Sequence, residues 1–419
     1  MRLIALVLVP LALSACGAPR SDDEVGSESE STSAESGESD SSTGDGSTND
    51  SLDTVGDVDL PVDDECLEPA PGQLCLHDAG FLVTAVKPST ILIEDVDGDE
   101  QLDLLAISVV SSLVRVAPGQ GEGSFGDWID STLAKGIRGA ALGQIDEDGD
   151  LDLVLANLVT PAGMAIAYGD GQARFSPPQF KSSGSAPRAV AIGAIDEDAW
   201  MDVVIADEDG AQVFVMLGDG LGGLSTLSTL AVGLEPYDLA LIDLDLDAQL
   251  DVATVDHGSD TISVVWGEGG GAFASAQAEP IGAGPRGIAV SDLDDDGDLD
   301  LLSADFDGDT VSVLINLAEL APRTFAPALT LAVGDSPYAV AAGDITGDGL
   351  PDIVSADSGA KQLSVLASLV GGGHAPAVTF ATGFEPFDLA MADLDGDSRL
   401  DVVSADFGSG GLTLLMTAP

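Results

Sequence analysis

The chain has 419 residues and a formal charge of −60 at pH 7, which comes from 73 acidic and 13 basic residues. This charge excludes nucleic acid and anionic membrane surfaces as direct partners, because both would repel the protein, and it favours cations. The composition is 45% hydrophobic but only 4% aromatic, so aliphatic side chains can build a core while side chains that stack on ligands are scarce.

The first 15 residues have the pattern of a signal peptide. Arg2 precedes an apolar run at 3–13, which has the length of a signal-peptide core and is too short to span a bilayer as a helix. The segment Leu13-Ser14-Ala15-Cys16 resembles the lipobox of bacterial lipoproteins, which implies cleavage before Cys16 and lipidation of that residue. The alternative is an ordinary secreted protein. We expect export and a lipid anchor at the bacterial cell envelope, at the outer membrane or cell surface.

Two short segments separate the anchor from the repeats. Residues 16–63 consist mainly of Ser, Glu, Asp, Gly and Thr, which cannot bury enough apolar surface to fold, so they predict a disordered acidic tether. Cys66 and Cys75 are the remaining cysteines, and in an exported protein such a pair usually forms a disulfide. We therefore expect a disulfide-closed lead-in at 64–79.

Residues 80–419 contain one unit seven times. Each unit has an Asp-rich loop, and successive loops are separated by 49, 50, 49, 49, 52 and 49 residues, the length of a four-stranded propeller blade. The last Asp of each loop is Asp103, Asp152, Asp202, Asp251, Asp300, Asp352 and Asp401.

Alternating and β-branched runs flank each loop and predict an all-β fold, a seven-bladed β-propeller. The innermost strands are rich in small residues, as expected where seven blades crowd one axis. The seventh unit ends after its third strand, at 412–416, whereas 81–86 provides an unpaired outer strand before the first unit. Pairing these two segments would close the ring and remove the exposed sheet edges.

Each loop follows the scheme Asp-x-Asp-x-Asp-x-x-x-Asp. Its oxygens at positions 1, 3, 5 and 9, with a backbone carbonyl at position 7, suit Ca²⁺, which takes six to eight oxygen ligands, better than Mg²⁺, which requires a tighter octahedron. The alternative is that Asp and Gly form these turns without an ion. Clustered carboxylates without a cation would repel one another strongly, so we predict Ca²⁺ in the complete loops.

The loops, the seven-fold period and the Ala-Asp pairs that end second strands, such as Ala304-Asp305 and Ala356-Asp357, resemble FG-GAP or VCBS repeats, the blades of the integrin α-chain propeller and of many bacterial surface proteins. The resemblance implies seven blades, Ca²⁺ in some loops and adhesive or ligand-binding roles, but no single activity. The family's ligand positions fall on Asp95, Asp97, Asp99 and Asp103; on Asp243, Asp245, Asp247 and Asp251; on Asp292, Asp294, Asp296 and Asp300; on Asp344, Thr346, Asp348 and Asp352; and on Asp393, Asp395, Asp397 and Asp401.

The second and third loops depart from the scheme. Gln144 and Ala194 replace the first Asp of these loops, and the loss of a ligand puts a metal there in doubt.

A second candidate site is formed by the residue that follows the first position of each blade, a position occupied by Pro236, Pro285, Pro337 and Pro386 in the last four blades. These residues begin the innermost strands, so they should surround one mouth of the central channel, on the face opposite the Asp loops. Arginines and aromatic rings there could hold an anionic or sugar-like ligand. The alternative, which we favour, is that each Arg pairs with an Asp at the end of a neighbouring second strand, such as Asp207, Asp256 or Asp305. Beside Ser89, the ring comprises Arg138, Arg188, Tyr237, Arg286, Tyr338 and Phe387.

The residues for catalysis are few. His77, His257 and His374 fall at unrelated positions of the repeat, and the sequence has no nucleophile elbow, zinc helix or phosphate-binding glycine loop. We therefore expect a non-enzymatic, monomeric surface module that binds an extracellular protein or polysaccharide. The alternatives are a calcium-assisted hydrolase or lyase, lactonase-like or glycan-cleaving, and a structural protein without a small ligand.

Overall fold

A computed structural model describes most of the repeat region. Residues 1–71 lie outside the described part, so the signal peptide, the lipid anchor at Cys16 and the tether stay predictions. Cys75 is disulfide-bonded, while its predicted partner, Cys66, also lies outside the described residues. The structure describes residues 72–159, 162–196, 198–318 and 321–418.

The described chain forms seven four-stranded antiparallel sheets, which are the blades of a β-propeller. The only helical element within the described residues is a single 3-10 turn, Glu208–Gly210, and no helix there is long and apolar enough to cross a membrane. The first strand of the described chain, β1 (Leu76–Val83), belongs to the last blade.

The strands of the first three blades are given from the innermost to the outermost. Blade 1 contains β2 (Thr90–Glu94), β3 (Asp103–Ile107), β4 (Leu113–Ala117) and β5 (Ile129–Thr132); blade 2 contains β6 (Ile137–Gly143), β7 (Asp152–Asn157), β8 (Gly163–Ala167) and β9 (Gln179–Lys181); blade 3 contains β10 (Pro187–Gly193), β11 (Asp202–Asp207), β12 (Gln212–Gly218) and β13 (Leu224–Ala231).

The remaining blades repeat this order. Blade 4 contains β14 (Pro236–Ile242), β15 (Asp251–Asp256), β16 (Thr261–Val265) and β19 (Gln277–Pro280), with a small hairpin of β17 (Gly267–Gly269) and β18 (Ala272–Phe273); blade 5 contains β20 (Pro285–Ser291), β21 (Asp300–Asp305), β22 (Thr310–Leu314) and β23 (Leu329–Ala332); blade 6 contains β24 (Pro337–Gly343), β25 (Asp352–Asp357), β26 (Gln362–Leu366) and β27 (Val378–Ala381); blade 7 contains β28 (Pro386–Ala392), β29 (Asp401–Asp406), β30 (Gly411–Thr417) and β1.

The hydrophobic core lies between neighbouring blades. The second strand of each blade is buried along its whole length, as in β21 and β25, because both of its faces are covered by the adjacent blades. Leu302 of blade 5, for example, packs in one cluster with Val340 and Ile353 of blade 6. Burial of each such aliphatic side chain contributes about 1.5–3 kcal/mol, which explains the aliphatic composition.

The inner strands approach one another closely around the axis. A Cβ on Gly139 would lie 2.5 Å from the carbonyl oxygen of Arg188 in the next blade, and one on Gly287 would lie 3.0 Å from the oxygen of Tyr338. Side chains at these positions would push the blades apart. The small residues of the inner strands are therefore required by the packing, as the sequence predicts.

The ring closes between the two ends of the repeat region, as predicted. β1 pairs with β30 from Leu76↔Thr417 to Val83↔Gly411, and β2 contacts β28. The prediction placed this outer strand at 81–86, so its start is later than that of the observed β1. The start was missed because most side chains of β1 are exposed, and its sequence lacks the apolar alternation that would mark a strand.

A buried carboxylate also joins the blades at this seam. Asp388 of blade 7 accepts a hydrogen bond from the Ile91 amide of blade 1 at 3.0 Å, and burial raises its pKa well above the ordinary value. Asp238 makes the equivalent contact from blade 4 to the amide of Ile288 in blade 5, at 3.2 Å. Both carboxylates therefore connect the inner strands of successive blades.

Candidate metal centres

The Asp-rich segments connect the first and second strands of every blade, so all seven lie on one face of the propeller. This face, here called the loop face, also carries the hairpins between third and fourth strands. The opposite face, called the linker face, carries the turns between second and third strands and the linkers between blades. The loops are numbered with their blades: 95–103, 144–152, 194–202, 243–251, 292–300, 344–352 and 393–401.

The ninth position of every loop is a fully buried Asp with a structural role. In loop 1, Asp103 accepts hydrogen bonds from the amide of Val96 at 2.9 Å and from that of Gly119 at 2.8 Å, at the end of the third strand. The same two contacts, at 2.7–3.0 Å, recur in all seven blades. Sequence reasoning assigned this Asp only to the metal, although its presence in the incomplete loops 2 and 3 was a signal of a second role.

The first position of a complete loop binds the loop backbone. Asp95 accepts hydrogen bonds from the amides of Gly98 at 2.7 Å and Glu100 at 2.9 Å, and Asp243, Asp292, Asp344 and Asp393 make similar contacts. These bonds order the turn with or without an ion. They therefore do not distinguish the two interpretations of the loops.

Four loops bring acidic side chains together in a way that could hold a metal ion. In each of them, carboxylate oxygens from three aspartates lie within 4.8 Å of one another. Loops 2, 3 and 6 form no such group among the described residues, so the groups occur in the four loops that have Asp at positions 1, 3, 5 and 9. The groups are Asp95, Asp97 and Asp99; Asp243, Asp245 and Asp251; Asp292, Asp294 and Asp300; and Asp393, Asp395 and Asp401.

The remaining predicted ligands lie in the same loops but outside these groups. Asp103 is engaged by backbone amides, and Asp247, Asp296 and Asp397 each accept the amide two residues further on. In loop 6, Thr346 replaces one carboxylate, and Asp344, Asp348 and Asp352 also accept backbone amides.

Burial and neighbouring carboxylates raise the pKa of several aspartates in these loops. Burial, and then the neighbouring Asp99 and Asp95, raise the pKa of Asp97. Burial likewise raises the pKa of Asp300 to about 7 and that of Asp251 to about 6, although two backbone amides lower each of them. A nearby cation would reverse these shifts.

Carboxylate oxygens without hydrogen-bond partners support the interpretation that these loops bind a metal ion. Asp97 Oδ1, Asp245 Oδ1 and Asp397 Oδ2 are buried and have no hydrogen-bond partner within the described part of the chain. Buried polar atoms normally have partners, and an all-oxygen set of clustered carboxylates is the donor chemistry of a hard divalent cation. The residues of these loops therefore fit a metal ion.

The predicted ring of arginines and aromatics lies at the channel mouth on the linker face, and its members contact one another. Arg138 and Arg188 are almost fully buried. Both form ion pairs with Glu208: the distance to Glu208 Oε2 is 2.6 Å from Arg138 Nη1 and 3.1 Å from Arg188 Nη1. The expectation that they pair with Asp207 or its equivalents is wrong. The ends of the second strands are buried in the blades, so the residue one step further on reaches the channel.

Aromatic rings complete this cluster. The Arg188 guanidinium lies 3.0 Å from the ring centroid of Tyr237, and that of Arg286 lies 3.3 Å from the centroid of Phe306. Tyr338 stacks on Phe387 at 4.7 Å. Because these side chains already pack against one another, the geometry favours the structural role, and ligand binding by the ring stays a prediction.

The Asp that ends the second strand has a role that sequence reasoning missed. Asp256 accepts hydrogen bonds from Thr254 Oγ1 at 2.8 Å and Ser263 Oγ at 2.6 Å, and Asp305, Asp357 and Asp406 make the equivalent contacts. The signal was present in the sequence as a Ser or Thr two residues before each Asp and another seven residues after it. These carboxylates bind the second strand to the third.

Fold and loops together define a repeat propeller with groups of carboxylates on one face that could hold metal ions. The FG-GAP-like repeat family matches residues 95–155, 243–303, 292–355 and 344–404, which together make up more than half of the chain. The chain belongs to the FG-GAP-like repeat family. Its scaffold fits a binding or adhesion role. A search of curated proteins gives no match.

Solved structures share the propeller fold. The BBS1N chain of a complex with ARL6DN has a TM-score of 0.58 at 13% identity, over 82% of this chain and 97% of that one. A lectin of Agrocybe aegerita that recognises non-reducing terminal N-acetylglucosamine has a TM-score of 0.51 at 17% identity, over 76% and 85%. A functionally unknown protein of Desulfotomaculum acetoxidans has a TM-score of 0.50 at 14% identity, over 71% and 85%. At these identities the similarity shows the fold alone.

Proposed function

We propose that this protein is a non-enzymatic, calcium-binding β-propeller of a bacterial cell surface that binds an extracellular protein or polysaccharide. The observation that carries the proposal is the set of four three-carboxylate groups on the loop face, each with oxygens within 4.8 Å of one another. Calcium is the best match because the donors are oxygens alone, and Ca²⁺ accepts six to eight oxygen ligands in a flexible geometry.

Calcium would act mainly on the loop face. The chain carries 73 acidic residues, and many of them lie in the seven loops, where unbalanced charge opposes compaction. A divalent ion in each complete loop would neutralise part of this charge and hold the first and second strands of the blade in register. The rigid face that results is a surface on which a large partner can dock without an ordering cost.

The proposed location follows from the sequence before the propeller. The lipobox-like segment ending at Cys16 and the acidic segment that follows it suit a lipid-anchored protein whose tether holds the propeller away from the envelope. Under this proposal the lipid is the only membrane contact, the protein is monomeric, and nucleic acid is not a partner, because the charge repels it.

Partner binding is tested with the purified protein on an array of bacterial polysaccharides, host glycans and extracellular matrix proteins. The array includes terminal N-acetylglucosamine, which the similar lectin recognises. The proposal predicts binding in millimolar Ca²⁺ that is lost in chelator, and no turnover of a parallel panel of lactones and glycosides. Calcium-dependent turnover of any panel member would show that the protein is an enzyme and would contradict the proposal.

A further inference from the structure

Loop 4 differs from the other three complete loops because a side-chain cation already lies against its carboxylates. Arg323 Nε lies 2.6 Å from Asp245 Oδ2, and its Nη2 lies 3.7 Å from Asp247 Oδ2. In loops 1, 5 and 7, no Lys, Arg or His of the described chain forms an ion pair with a carboxylate of the three-residue groups.

Arg323 comes from the neighbouring blade and is held there by specific contacts. It lies in the hairpin between the third and fourth strands of blade 5, and its Nη2 donates to the carbonyl oxygen of Gly267 at 3.4 Å. Its guanidinium lies 5.3 Å from the ring centroid of Trp266, which stacks on Phe325. The Arg323 guanidinium is therefore held by the Trp266 ring on one side and by the carboxylates of loop 4 on the other.

The backbone position of Arg323 is one that favours glycine. Its φ is +59°, the same as that of Ala173 in the hairpin of blade 2, while the equivalent residues of blades 1, 3 and 4, Gly123, Gly222 and Gly271, have φ of +68°, +79° and +77°. A residue with a side chain costs about 1 kcal/mol or more in this left-handed region. The bond to Asp245 offsets part of this cost at Arg323.

Arg323 engages only one of the two carboxylate oxygens of Asp245. Its side chain is only 6% exposed, and Oδ2 is taken by Arg323, while Oδ1 is buried without a hydrogen-bond partner. The group that it forms with Asp243 and Asp251 still has the spacing of the other three groups. Loop 4 thus combines a metal-like donor set with a tethered positive charge.

We infer that Arg323 is a tethered counter-ion that competes with divalent cations for loop 4. This inference rests on the proposed calcium binding. Loops 1, 5 and 7 then fill first, and loop 4 fills only at higher Ca²⁺, when the ion displaces the guanidinium from Asp245. Filling loop 4 also breaks the ion pair between the blade 5 hairpin and the blade 4 loop, while the hydrogen bond from Asn316 Nδ2 to the Leu244 carbonyl keeps the two segments together. This ion pair therefore responds to calcium over a higher concentration range than the other complete loops.

The test is a Tb³⁺ titration of the purified protein, with tryptophan excitation and Tb³⁺ emission. Trp266 adjoins loop 4, because the next residue, Gly267, donates its amide to Asp251 Oδ1 at 2.7 Å. We expect Arg323→Gln to tighten the site sensitised by Trp266 about tenfold, since one charge-assisted hydrogen bond no longer competes. Adding Trp266→Phe should remove that signal.

Two further variants control the experiment. Arg174→Gln removes the same charge from the exposed hairpin arginine of blade 2, which makes no ion pair within the described residues, and should leave the Trp266 signal within twofold. Arg323→Gly places at this position the residue found in the equivalent hairpins of blades 1, 3 and 4, so the fold should survive if Arg323→Gln unfolds, and it should tighten the same site.

The outcomes separate this inference from the proposed function. If folded Arg323→Gln or Arg323→Gly binds Tb³⁺ at the Trp266 site no more tightly than the unaltered protein, while other sites bind Ca²⁺ in isothermal titration, the inference is overturned and the proposed function stands. If the protein binds neither ion at any site, both are overturned.

Discussion

Replacing Asp305 by alanine should destabilise the propeller by about 3 kcal/mol, independently of calcium. Asp305 is fully buried at the end of the second strand of blade 5. Its carboxylate accepts hydrogen bonds from the hydroxyls of Ser303 (2.6 Å), Thr310 (2.9 Å) and Ser312 (2.6 Å). A buried donor that loses its acceptor costs about 1–3 kcal/mol, and we take the low end for each because a hydroxyl can rotate.

The assay is thermal unfolding followed by circular dichroism, in excess Ca²⁺ and in chelator. With an unfolding entropy of about 2.1 cal/mol/K per residue, a loss of 3 kcal/mol lowers the Tm of a propeller of this size by about 4 °C. Asp307→Ala is the matched control, because its side chain is 57% exposed, and should leave Tm unchanged. A loss below 1 °C, or one seen only with Ca²⁺, would refute the reasoning, because Asp305 lies on the linker face.

Three further predictions concern the loops and the channel mouth. In chelator, Tm should rise as pH falls from 7 to 5. Burial raises the pKa of Asp300 in the folded protein to about 7, whereas the pKa of an unfolded Asp is about 3.9. The native state therefore binds more protons than the unfolded state in this pH range, and acid stabilises it. In excess Ca²⁺ the slope should reverse, because protons displace the ion; slopes of equal sign would contradict metal binding. Asp95→Asn should remove about one bound Ca²⁺ per chain in isothermal titration, whereas Asp146→Asn, in the incomplete loop 2, should remove none; equal losses would show that completeness of the loop is not what matters. Arg188→Ala should lower Tm, because it leaves Glu208 in the channel with one arginine fewer, whereas Arg174→Ala at the surface should not; lost partner binding at unchanged Tm would instead favour a ligand site at the mouth.

The blade count and the ring closure could be predicted because they follow from local patterns that repeat. Each Asp loop marks one blade, and its period fixes the blade length. Closure needs only the observation that one strand is missing at the end and one is spare at the start. The first and last residues of β1 could not be predicted from the sequence, because its side chains are mostly exposed. The length of β1 is determined by the strand with which it pairs and not by its own residue pattern.

The complete loops could also be identified from the sequence, since the three carboxylates of each group lie within one nine-residue loop. The second role of Asp103 could not, because its partner Gly119 lies 16 residues away and is brought near only by the pairing of the second strand with the third. Glu208 was missed as the partner of Arg138 for a related reason. Which side chain at a strand end reaches the channel depends on how the turn is oriented.

The contact between Arg323 and Asp245 is the feature of the site that the sequence predicts least. It lies 78 residues from Asp245 along the chain and in a hairpin whose equivalents contain glycine or alanine. Neither spacing nor composition connects the two residues. Only the packing of the hairpin of one blade onto the loop of the preceding blade places the guanidinium beside the carboxylates.

Elemental analysis of the purified protein after exhaustive dialysis, combined with calcium titration calorimetry, tests the account most directly. The account predicts at least three Ca²⁺ ions per chain, matching loops 1, 5 and 7, and a fall in Tm when they are chelated. Protein that contains no calcium, takes none up at millimolar concentration and melts at the same temperature with and without chelator would contradict it.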